Sequence, residues 1–582
     1  MIRLCFPVAA LAVALPLRIV AAGESSDPRT RTYVEPVRIV WTSAADSENG
    51  FAGRFGLGDL TALLKPKLGQ VPEREYCIIT NRGNVVGFVL DFGREIHGGF
   101  QIATIGGSRN SKARLRFGES VAETFSDALL GERGAGNDHA MRDFELMLPV
   151  CGSIEVGNTG FRFVRIDLLT SGEMAFSSIR AISLMRPMKR LGSFRCSDER
   201  LNRIFETAVR TVHLCCQDKL WDGIKRDRLV WMGDTYPETM AILNVFGAAS
   251  VLPESLDYIS AVTPPDKWVN NIGTYTLWFV RNLAEWYRYT GDLGYVRKQA
   301  PYLKATMENI ARCVTPSNTL ESAGRKFLDW PTEHNRPAVH VGTQALALMT
   351  FRDAAFLADA LGDDELKGLC ESCTVRMEKL RGTLDPNGSK QAAAMLSLAG
   401  LADSKDMFAQ VLGQNGHEGV STFYGYFMLE AMSAADENRR ALDTVRDYWG
   451  AMLDVGATSF WEDFKLSWTN NCFRIDELPV AGKTDIHGDY GEFCYKGFRH
   501  SLCHGWSAGP AAWLINHVLG IRPTSVGCKT YEVKPFLGDL EWAEGSMALP
   551  DGRFAFVRVE RGADGQPVVR TNEIRTNETG NH

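Results

Sequence analysis

Alternating hydrophobic and polar positions in the first third of the chain predict β-structure. Runs with a period of two, such as 113–117 and 162–168, place every second side chain on one face of a strand. Gly106 and Gly107 mark one of the turns that separate such runs. The pattern therefore predicts a β-sandwich over residues 23–192.

The hydrophobic period changes to that of a helix after Ser197. Between Leu201 and Val212 the apolar residues recur at positions i, i+3, i+4, i+7 and i+11, and Ser197 is a candidate N-cap. Helical patterns continue to about residue 519. They predict twelve helices, at 197–217, 237–250, 254–262, 272–290, 295–313, 340–362, 365–384, 389–400, 404–413, 420–434, 436–453 and 504–519.

These helices favour one closed ring of paired helices, because their connections are short and no fixed-period repeat is visible. We therefore predict an (α/α)6 barrel over residues 193–524, with the long loops near 314–339 and 455–503 at its mouth. Alternation returns at 525–570 and predicts a small C-terminal β-domain. A polar tail follows at 571–582.

Charge and composition narrow the function classes only in part. The chain of 582 residues carries 64 Lys and Arg against 70 Asp and Glu, a net charge of −6. Proteins that bind a nucleic-acid backbone carry a basic surplus, so we expect no nucleic-acid partner. Sugar sites use carboxylates and aromatic rings, and the chain has 13 tryptophans, but a large core also uses tryptophan. Composition alone leaves both interpretations open.

The first 22 residues have the pattern of a secretory signal peptide. Arg3 supplies a positive start, residues 5–17 form an apolar run, and small residues follow at 21–23. The run is too short to span a bilayer, so we expect no membrane contact once it is removed. We therefore expect a secreted or periplasmic protein, with a buried N-terminal strand as the alternative interpretation.

The cysteines do not predict a metal site or a disulfide scaffold. Thirteen cysteines in a chain of this length are too few for such a scaffold, although export permits disulfides. Cys370 and Cys373 form a C-x-x-C motif and share one face of a predicted helix. No second C-x-x-C or paired histidine spacing accompanies them in the sequence, so we interpret them as structural.

The loop at 221–234 is the segment richest in candidate chemistry. It contains Asp222, Asp227 and Asp234, three basic residues and two tryptophans, directly before a predicted helix. Thr235 and Glu238 have the spacing of a capping box, which gives Glu238 a structural role. Cationic neighbours keep some carboxylates ionised and apolar walls raise the pKa of others, so such a loop can separate an acid from a charge holder. A salt-bridged surface loop is the other interpretation.

From Asp222 to Asp234 the loop reads D-x-x-x-R-D-R-L-x-W-x-G-D. This resembles the signature D-x-P-x-R-E-[RK]-L-G-W-T-G-D of the inverting α-L-rhamnosidases of glycoside hydrolase family 78. In that family the Glu of R-E is the general acid, and its position here holds Asp227, which is one methylene shorter. The resemblance implies that Asp227 protonates the leaving oxygen.

Three further segments resemble the same family. Residues 456–462 read G-A-T-S-F-W-E, like the family's G-A-T-T-x-W-E, whose Glu is the general base. The resemblance implies that Glu462 activates the attacking water. S-L-C-H at 501–504 resembles the family's S-x-N-H-Y, and F-L-D-W at 327–330 resembles its G-D-W, which lines the sugar subsite.

The resemblance also implies a set of sugar-binding side chains. The set combines carboxylates for ring hydroxyls, a guanidinium that orients the catalytic carboxylates, an apolar wall that suits the methyl group of a 6-deoxy sugar, and an imidazole near the base. It comprises Asp222, Arg226, Trp231, Asp234, Asp329, Trp330, Trp461 and His504. No metal or organic cofactor is implied.

The flanking segments fit the same family. Residues 91–95 and 116–119 resemble its N-terminal sandwich, and 520–523 leads into what resembles its C-terminal β-domain. His487 and two neighbours in the 455–503 loop are further candidates for the wall of the site, without a position in the family pattern.

The sequence therefore predicts an inverting hydrolase that releases terminal α-L-rhamnose from glycans or glycosides. Asp227 in place of Glu, together with the basic Lys225-Arg226 pair, favours an alternative: a hydrolase or lyase of the same fold that acts on another deoxy sugar or a uronic acid. The second alternative is a non-catalytic carbohydrate-binding protein, against which the two carboxylate motifs argue. In every case the expected partner is a carbohydrate.

Overall fold

The computed structural model describes residues 27–43, 77–126, 142–493, 496–562 and 566–575. The predicted signal peptide at 1–22 lies outside these ranges, as does the last part of the predicted polar tail. Within the described ranges, no helix combines the length and the apolar character that are needed to cross a bilayer.

An antiparallel sheet of eight strands forms the N-terminal part of the described chain. Its strands are β1 (Thr30–Val34), β2 (Arg38–Thr42), β3 (Cys77–Asn81), β4 (Val86–Gly107), β5 (Lys112–Gly118), β6 (Asp143–Met147), β7 (Gly152–Leu168) and β8 (Gly172–Met185). The strand order is β1-β8-β4-β7-β5-β6, with β2 attached to β4 and β3 attached to β8. Neighbouring strands pair antiparallel throughout.

Strand β4 organises this sheet, because it is 22 residues long and pairs with both β7 and β8. Its register with β7 shifts between Asp91 and Ile96, and such bulges bend a long strand. Phenylalanine rings from neighbouring strands pack edge to face, as Phe100 and Phe117 do with ring centroids 6.1 Å apart. The sheet thus has a hydrophobic core of its own, separate from the helical core.

Twelve helices follow within the described residues, and each overlaps one of the predicted segments. They are α1 (Glu199–Cys215), α2 (Thr235–Val245), α3 (Val251–Val262), α4 (Gly273–Thr290), α5 (Leu293–Arg312), α6 (Arg336–Leu361), α7 (Asp364–Glu378), α8 (Lys390–Ala399), α9 (404–412), α10 (Gly425–Ala434), α11 (438–454) and α12 (509–518). Helices α9, α11 and α12 each contain a π-helical turn, at Phe408–Leu412, Val445–Trp449 and Leu514–Val518.

Every second helix belongs to an inner cycle. In this cycle α2 contacts α4, and the contacts continue through α6, α8, α10 and α12, which contacts α2 again. All residues of α2 and seven of the ten residues of α10 are buried, as expected for helices that are largely apolar around their circumference. Helix α1, in contrast, has one apolar stripe and packs on the outside of α2 and α12. The loops before the inner helices therefore meet at one end of the cycle.

The remaining strands lie before, between and after the helices. They are β9 (Ser193–Cys196), β10 (Cys472–Phe473), β11 (Thr484–Asp485), β12 (Ile521–Pro523), β13 (Tyr531–Val533), β14 (Trp542–Ala548), β15 (Arg553–Arg561) and β16 (Pro567–Arg575). The order β16-β15-β14-β9 forms a four-stranded sheet, so a strand that precedes α1 pairs with strands that follow α12. Strand β16 extends into the segment predicted as a polar tail.

The eight-stranded sheet docks on the helical region through buried polar contacts. Arg162 on β7 donates to both carboxylate oxygens of Asp91, at 2.8 and 2.9 Å, and to the carbonyl of Gly456 at 3.0 Å. The adjacent Gly160 lies against Ile224 of the 221–234 loop. The sheet therefore touches both loops that carry the predicted catalytic carboxylates.

Gly160→Ala should destabilise the protein by about 1–3 kcal/mol, the usual cost of overpacking. A Cβ at this position would lie 2.6 Å from Ile224 Cγ1 and 2.9 Å from the carbonyl carbon of Ile224. Gly106→Ala is the matched control on β4, since no heavy atom lies within 4 Å of its added Cβ, and its effect should stay within about 0.5 kcal/mol. Thermal unfolding measures both, and equal Tm values for the two variants would contradict the expected clash.

Candidate active site

A cavity of about 410 Å³ lies where the loops before the inner helices meet. Its wall combines carboxylates, guanidinium groups, an imidazole and aromatic rings. The lining residues are Asp222, Arg226, Asp227, Trp231, Asp234, Asn270, Asn271, Ile272, Tyr275, Arg325, Phe327, Trp330, Glu462, Arg499, His504 and Trp506. Eight of the ten residues predicted for the site are among them, and Asp329 and Trp461 are not.

The 221–234 loop folds back on itself before α2 begins. The backbone N–H of Asp222 donates to the carbonyl of Leu229 at 3.0 Å, and the Asp222 carboxylate accepts from the N–H of Leu229 at 2.9 Å. Between these contacts Asp227 and Arg228 both adopt left-handed backbone conformations, with φ of 51° and 56°. Such conformations are costly for residues other than glycine and concentrate at functional sites. They turn the Asp227 side chain into the cavity, where it is 28% exposed.

One guanidinium group contacts both predicted catalytic carboxylates. Arg226 Nη1 donates to Asp227 Oδ2 at 3.2 Å, and Arg226 Nη2 forms a short ion pair with Glu462 Oε2. Arg226 Nε donates to the carbonyl of Arg499 at 2.9 Å, which fixes the plane of the group. Because the guanidinium is rigid and planar, the two contacted oxygens lie no more than about 8 Å apart.

Glu462 is buried but stays charged because of its neighbours. Burial alone would raise the pKa of Glu462, but the positive charges of Arg226 and the nearby histidines outweigh it and hold the pKa below the ordinary value for glutamate. The N–H of Ser501 also donates to Glu462 Oε2 at 3.2 Å, and His504 Nδ1 lies 3.6 Å from Oε1. An ionised carboxylate in this setting can accept a proton from a bound water.

His504 connects Glu462 with a second buried carboxylate. Its Nε2 lies 3.1 Å from Asp234 Oδ2, and Tyr275 donates its hydroxyl to Asp234 Oδ1 at 2.8 Å. Burial would lower the pKa of His504, but Glu462 and Asp234 outweigh that effect and raise it. Burial also raises the pKa of Asp234, although His504 and Tyr275 oppose the rise. The raised pKa favours the protonated form of the imidazole between these two acidic groups.

Asp222 differs from Glu462 in its charge state. Burial raises the pKa of Asp222 well above the ordinary value for aspartate, and the negative charges of Asp234 and Asp227 raise it further, whereas His504 opposes the rise. The same cavity thus holds one carboxyl that favours the neutral, proton-bearing form and one that favours the ionised form. Such a division is typical of sites that use acid and base chemistry.

Asp329 lies behind the cavity wall instead of on it. Its carboxylate accepts hydrogen bonds from the Ser421 hydroxyl at 2.6 Å, the Gln391 amide at 3.1 Å and the N–H of Trp330 at 2.8 Å. Burial raises the pKa of Asp329 to about 6, against the effect of these donors. Its binding of sugar hydroxyls stays a prediction, and the contacts favour a role in holding Trp330.

Trp461 and Glu238 are also buried behind the site. The Trp461 ring is fully buried, and among the described residues its indole N–H has no hydrogen-bond partner. The capping box predicted for Glu238 is not formed, because Thr235 Oγ1 donates instead to the carbonyl of Met232. The Glu238 carboxyl is buried, and a Cβ at position 505 would lie 1.4 Å from its Oε1. Gly505 is therefore the residue that leaves room for Glu238.

Several wall residues were not predicted from the sequence. The Arg325 guanidinium lies 4.9 Å from the centroid of the Trp330 ring. The ring centroids of Trp506 and His504 lie 4.2 Å apart. Asn270 and Asn271 both have positive φ, and Asn270 Oδ1 accepts from the N–H of Met232. Trp506 follows His504 closely in the sequence, which was a usable signal, whereas the Asn pair lies in an unremarkable loop.

A second and larger cavity, of about 580 Å³, is lined mainly by the C-terminal halves of α4, α6, α8 and α12 and by residues from the first two turns of α2 and α10. Its charged side chains pair with each other, as in Arg288 with Glu285 at 2.9 Å and His517 with Glu430 at 3.1 Å. The two predicted catalytic carboxylates line only the first cavity among the cavities within the described residues. The chemistry therefore concentrates at the end of the cycle where α2 and α12 begin.

Within the described residues, one group of side chains has ligand atoms spaced closely enough for a metal ion. These are Glu119, Glu123 and His487, whose ligand atoms lie within 4.8 Å of one another, outside the cavity. Lys225 Nζ lies in contact with both carboxylates. His487, which was predicted as a wall residue of the cavity, belongs to this buried cluster. The cysteines of the C-x-x-C motif, Cys370 and Cys373, lie elsewhere and are buried on α7.

Comparison with known protein families places this fold and site in a class. Residues 189–372 match the family model of the bacterial α-L-rhamnosidase 6 hairpin glycosidase domain. This region of the chain is therefore similar to a glycosidase domain of the six-hairpin class. The resemblance to the α-L-rhamnosidases is confirmed by this match, and the solved structures below share the fold. A comparison with curated protein sequences finds no significant match.

Solved rhamnosidase structures share the fold at low sequence identity. A rhamnosidase of family 78 from Bacillus sp. GL1 superimposes with a TM-score of 0.71 at 20% identity, over 89% of this chain and 54% of that one. A rhamnosidase from Klebsiella oxytoca with rhamnose bound gives 0.65 at 18% identity, over 84% of this chain and 96% of that one. The Streptomyces avermitilis α-L-rhamnosidase complexed with L-rhamnose gives 0.63 at 16% identity, over 85% and 49%. This chain thus spans about half the length of two of these three relatives.

Replacing the buried imidazole should cost stability in a pH-dependent way. The folded-state pKa of His504 is raised above its unfolded value near 6.5, so the stabilisation it gives is complete below that pH and disappears as the pH rises through the folded-state pKa. His504→Gln should therefore lower Tm more at about pH 6 than at about pH 10.

Thermal unfolding of wild type and His504→Gln across this pH range measures the effect. His417→Gln is the control, because His417 pairs with the exposed Asp447 at the protein surface and such pairs contribute little. A Tm difference for His504→Gln that stays constant with pH would show that the imidazole is not charged in the folded protein.

Proposed function

We propose that this protein is an inverting glycoside hydrolase that releases terminal α-L-rhamnose. The observation that carries the proposal is the Arg226 guanidinium, which contacts both Asp227 and Glu462 at the wall of one cavity. Both carboxylates stand in motifs that resemble the acid and base segments of the rhamnosidase family. The family match at 189–372 covers the first of them.

We also propose that the twelve helices form an (α/α)6 barrel and that the eight-stranded sheet folds as a β-sandwich. The closed cycle of six inner helices supports the barrel. The bulged central strand β4, with strands attached on several sides, supports a sheet that folds over on itself. The family model names a six-hairpin domain, which agrees with paired helices.

In the proposed mechanism Glu462 removes a proton from water as that water attacks the anomeric carbon. The depressed pKa of Glu462 supports this role, because the base must be ionised before each turnover. Inverting enzymes keep their carboxyl groups about 6.5–9.5 Å apart so that a water fits between base and sugar. The upper bound of about 8 Å that Arg226 imposes on the two nearest oxygens is compatible with this range.

Asp227 donates the proton to the leaving oxygen. It is the more exposed of the two carboxylates, at 28% against 1% for Glu462, which suits a group that meets the leaving group at the cavity entrance. Its left-handed backbone moves the side chain toward the cavity and offsets the loss of one methylene relative to glutamate. Asp222 and Asp234 then remain for the sugar hydroxyls.

The aromatic wall supports a deoxy sugar as substrate. Trp231, Trp330 and Trp506 line the cavity and present apolar faces to ring C–H and methyl groups. Two of the relatives have rhamnose bound, by their own descriptions, and we extend that ligand to this chain as part of the proposal. On the basis of residues 1–22 we further propose that the protein is exported.

A uronic acid is the second candidate for the recognised sugar. Arg325 and Arg499 line the cavity in addition to Arg226, and a guanidinium binds a carboxylate through paired hydrogen bonds. A non-catalytic binding protein is the remaining alternative. The three proposals differ in what the purified protein does with small glycosides.

Purified wild-type protein should hydrolyse an aryl α-L-rhamnoside and leave the matching α-L-fucoside and glucuronide intact. Proton NMR during the first minutes should show β-L-rhamnose as the first product, before mutarotation, if the configuration inverts. Preferred cleavage of the glucuronide would support the uronic-acid alternative. Binding of rhamnose without turnover of any of these glycosides would support the non-catalytic alternative.

The two carboxylates should respond differently to the leaving group. Asp227→Asn should slow hydrolysis of methyl α-L-rhamnoside by about 10²–10⁴-fold but hydrolysis of the 2,4-dinitrophenyl rhamnoside far less, because that leaving group departs without a proton. Glu462→Gln should slow both substrates by a similar factor, since water must be activated in either case.

Asp463→Asn is the matched control for Glu462→Gln. Burial raises the pKa of Asp463 to about 7, so asparagine resembles its neutral form, and the residue does not line the cavity among the described residues. We expect its activity to stay within a few-fold of wild type. Near-normal turnover by Glu462→Gln would remove the base assignment, and an equal loss on both substrates for Asp227→Asn would remove the acid assignment.

A further inference from the structure

The residue that precedes Arg226 in the chain is a buried lysine, Lys225. The Lys225 side chain is fully buried, and its Nζ lies 3.2 Å from Glu119 Oε2 and 3.0 Å from Glu123 Oε1. Nζ also donates to the carbonyl of His500 at 2.9 Å. An ammonium group is costly to take out of water unless it is paired and hydrogen-bonded, so these contacts are what allow Lys225 at this position.

The carboxylate that binds Lys225 also binds the segment that supports Glu462. Glu119 Oε2 accepts from the N–H of Leu502 at 2.7 Å, and Oε1 lies 3.4 Å from the Ser501 hydroxyl. The N–H of Ser501 in turn donates to Glu462 Oε2, and the N–H of Glu462 donates to the carbonyl of Ser501 at 3.0 Å. A continuous path of contacts therefore runs from Lys225 through Glu119 and Ser501 to Glu462.

The charges around Lys225 balance within the cluster. Glu123 also pairs with the buried Arg142 at 3.0 Å, and its Oε2 accepts from the N–H of Glu119 at 2.8 Å. His487 lies between the Ser120 hydroxyl at 2.8 Å and the carbonyl of His500 at 2.9 Å. Glu119 and Glu123 thus face two basic side chains. Burial raises the pKa of Glu119, and Lys225 and Arg142 oppose the rise, so removing Lys225 takes one basic partner from a buried acidic pair.

The donor set around Lys225 is of the kind that holds a metal ion. Two carboxylates and one imidazole offer ligand atoms within 4.8 Å of one another, and Lys225 Nζ contacts all three, with His487 Nε2 at 3.4 Å. The ammonium group occupies the position that a metal ion would take among these three groups. It is attached to the chain one residue before Arg226.

We propose that Lys225 is a positioning residue whose ammonium group acts as an internal cation for the active site. It ties the Glu119–Glu123 turn of the N-terminal region to the 500–502 segment, and so fixes Arg226 on one side and Glu462 on the other. The proposal rests on the hydrolase function proposed above. It assigns to the N-terminal region a part in setting the distance between the two catalytic carboxylates.

The experiment uses two variants that remove the ammonium group in different ways. Lys225→Ala removes the four heavy atoms of propylamine and leaves a space beside Glu119 and Glu123. Lys225→Met removes the charge but fills most of that space. Propylammonium, which matches the removed atoms, is added to both variants, and kcat, KM and Tm are measured with an aryl α-L-rhamnoside as substrate.

Both variants should lose about 10²-fold in kcat, the usual effect of a misplacement of about 1 Å at a catalytic group, with little change in KM. Propylammonium should restore kcat and raise Tm for Lys225→Ala only, because Lys225→Met has no space for it. Lys405→Ala is the control for a lost lysine charge, since Lys405 pairs with Asp436 at the surface, and its kinetics should match wild type.

Glu119→Gln is the second variant, in case the lysine variants do not fold. Its amide oxygen can still accept from Leu502, but it lacks the charge that faces Lys225. It should lower kcat without a matching change in KM. A wild-type kcat in Lys225→Met or Glu119→Gln, with only Tm reduced, would make the cluster purely structural and overturn the proposal.

The rescue also has a readout that does not depend on turnover. If wild-type protein hydrolyses none of the glycosides, the proposed function fails, but the Tm of Lys225→Ala still reports on the internal cation. A selective rise in the Tm of this variant with propylammonium or with Mn²⁺ would support the cation site. The same Tm shift in Lys225→Met, or no shift in either variant, would reject it.

Discussion

The active site depends on one constraint. Two carboxylates that are far apart in sequence must lie close together in a largely buried cavity, and each must keep its own chemical role. The Arg226 guanidinium meets this constraint because it contacts Asp227 and Glu462 at once. Its own plane is fixed by the carbonyl of Arg499. The loop that carries it is closed by Asp222 and ends where α2 begins. Helices, loops and the N-terminal sheet all serve to keep this single contact in place.

Burial raises the pKa of Asp222 and Asp234, whereas the pKa of Glu462, which is buried as well, is lowered because its neighbours differ. Glu462 lies beside a guanidinium and an imidazole and favours the ionised form. Burial, together with the charges of Asp234 and Asp227, makes Asp222 favour the proton-bearing form, although His504 opposes this. His504 lies between Glu462 and Asp234, and both acidic groups raise its pKa. Because Asp222 and Glu462 are both buried, the difference between these two carboxyl groups comes from the side chains around them.

The features that could be predicted from the sequence are those that a local hydrophobic pattern or a motif determines. The helices were found because their apolar periods are strong, and the loop at 222–234 because its residues recur in a known order. Three features were not predicted from the sequence. They are the pairing of β9 with the C-terminal sheet, the hydrogen bonds of Ser421 and Gln391 to Asp329, and the partners of Lys225. Each depends on groups that come together only after folding, so no local window contains the signal. The capping box at Thr235 failed because α2 begins at Thr235 itself, so this residue lies inside the helix and its hydroxyl donates to the carbonyl of Met232.

Strand β9 ties the start of the helical region to a sheet whose other strands come after its end. Its partner β14 leaves the ribosome about 350 residues later, which at 5–20 residues per second is a delay of roughly 20–70 s. During this interval β9 has an unpaired edge that is open to other chains. The helical region can begin to pack in that time, but its two ends are joined only when synthesis is nearly complete. The four-stranded sheet therefore cannot form before strands β14 to β16 have been made.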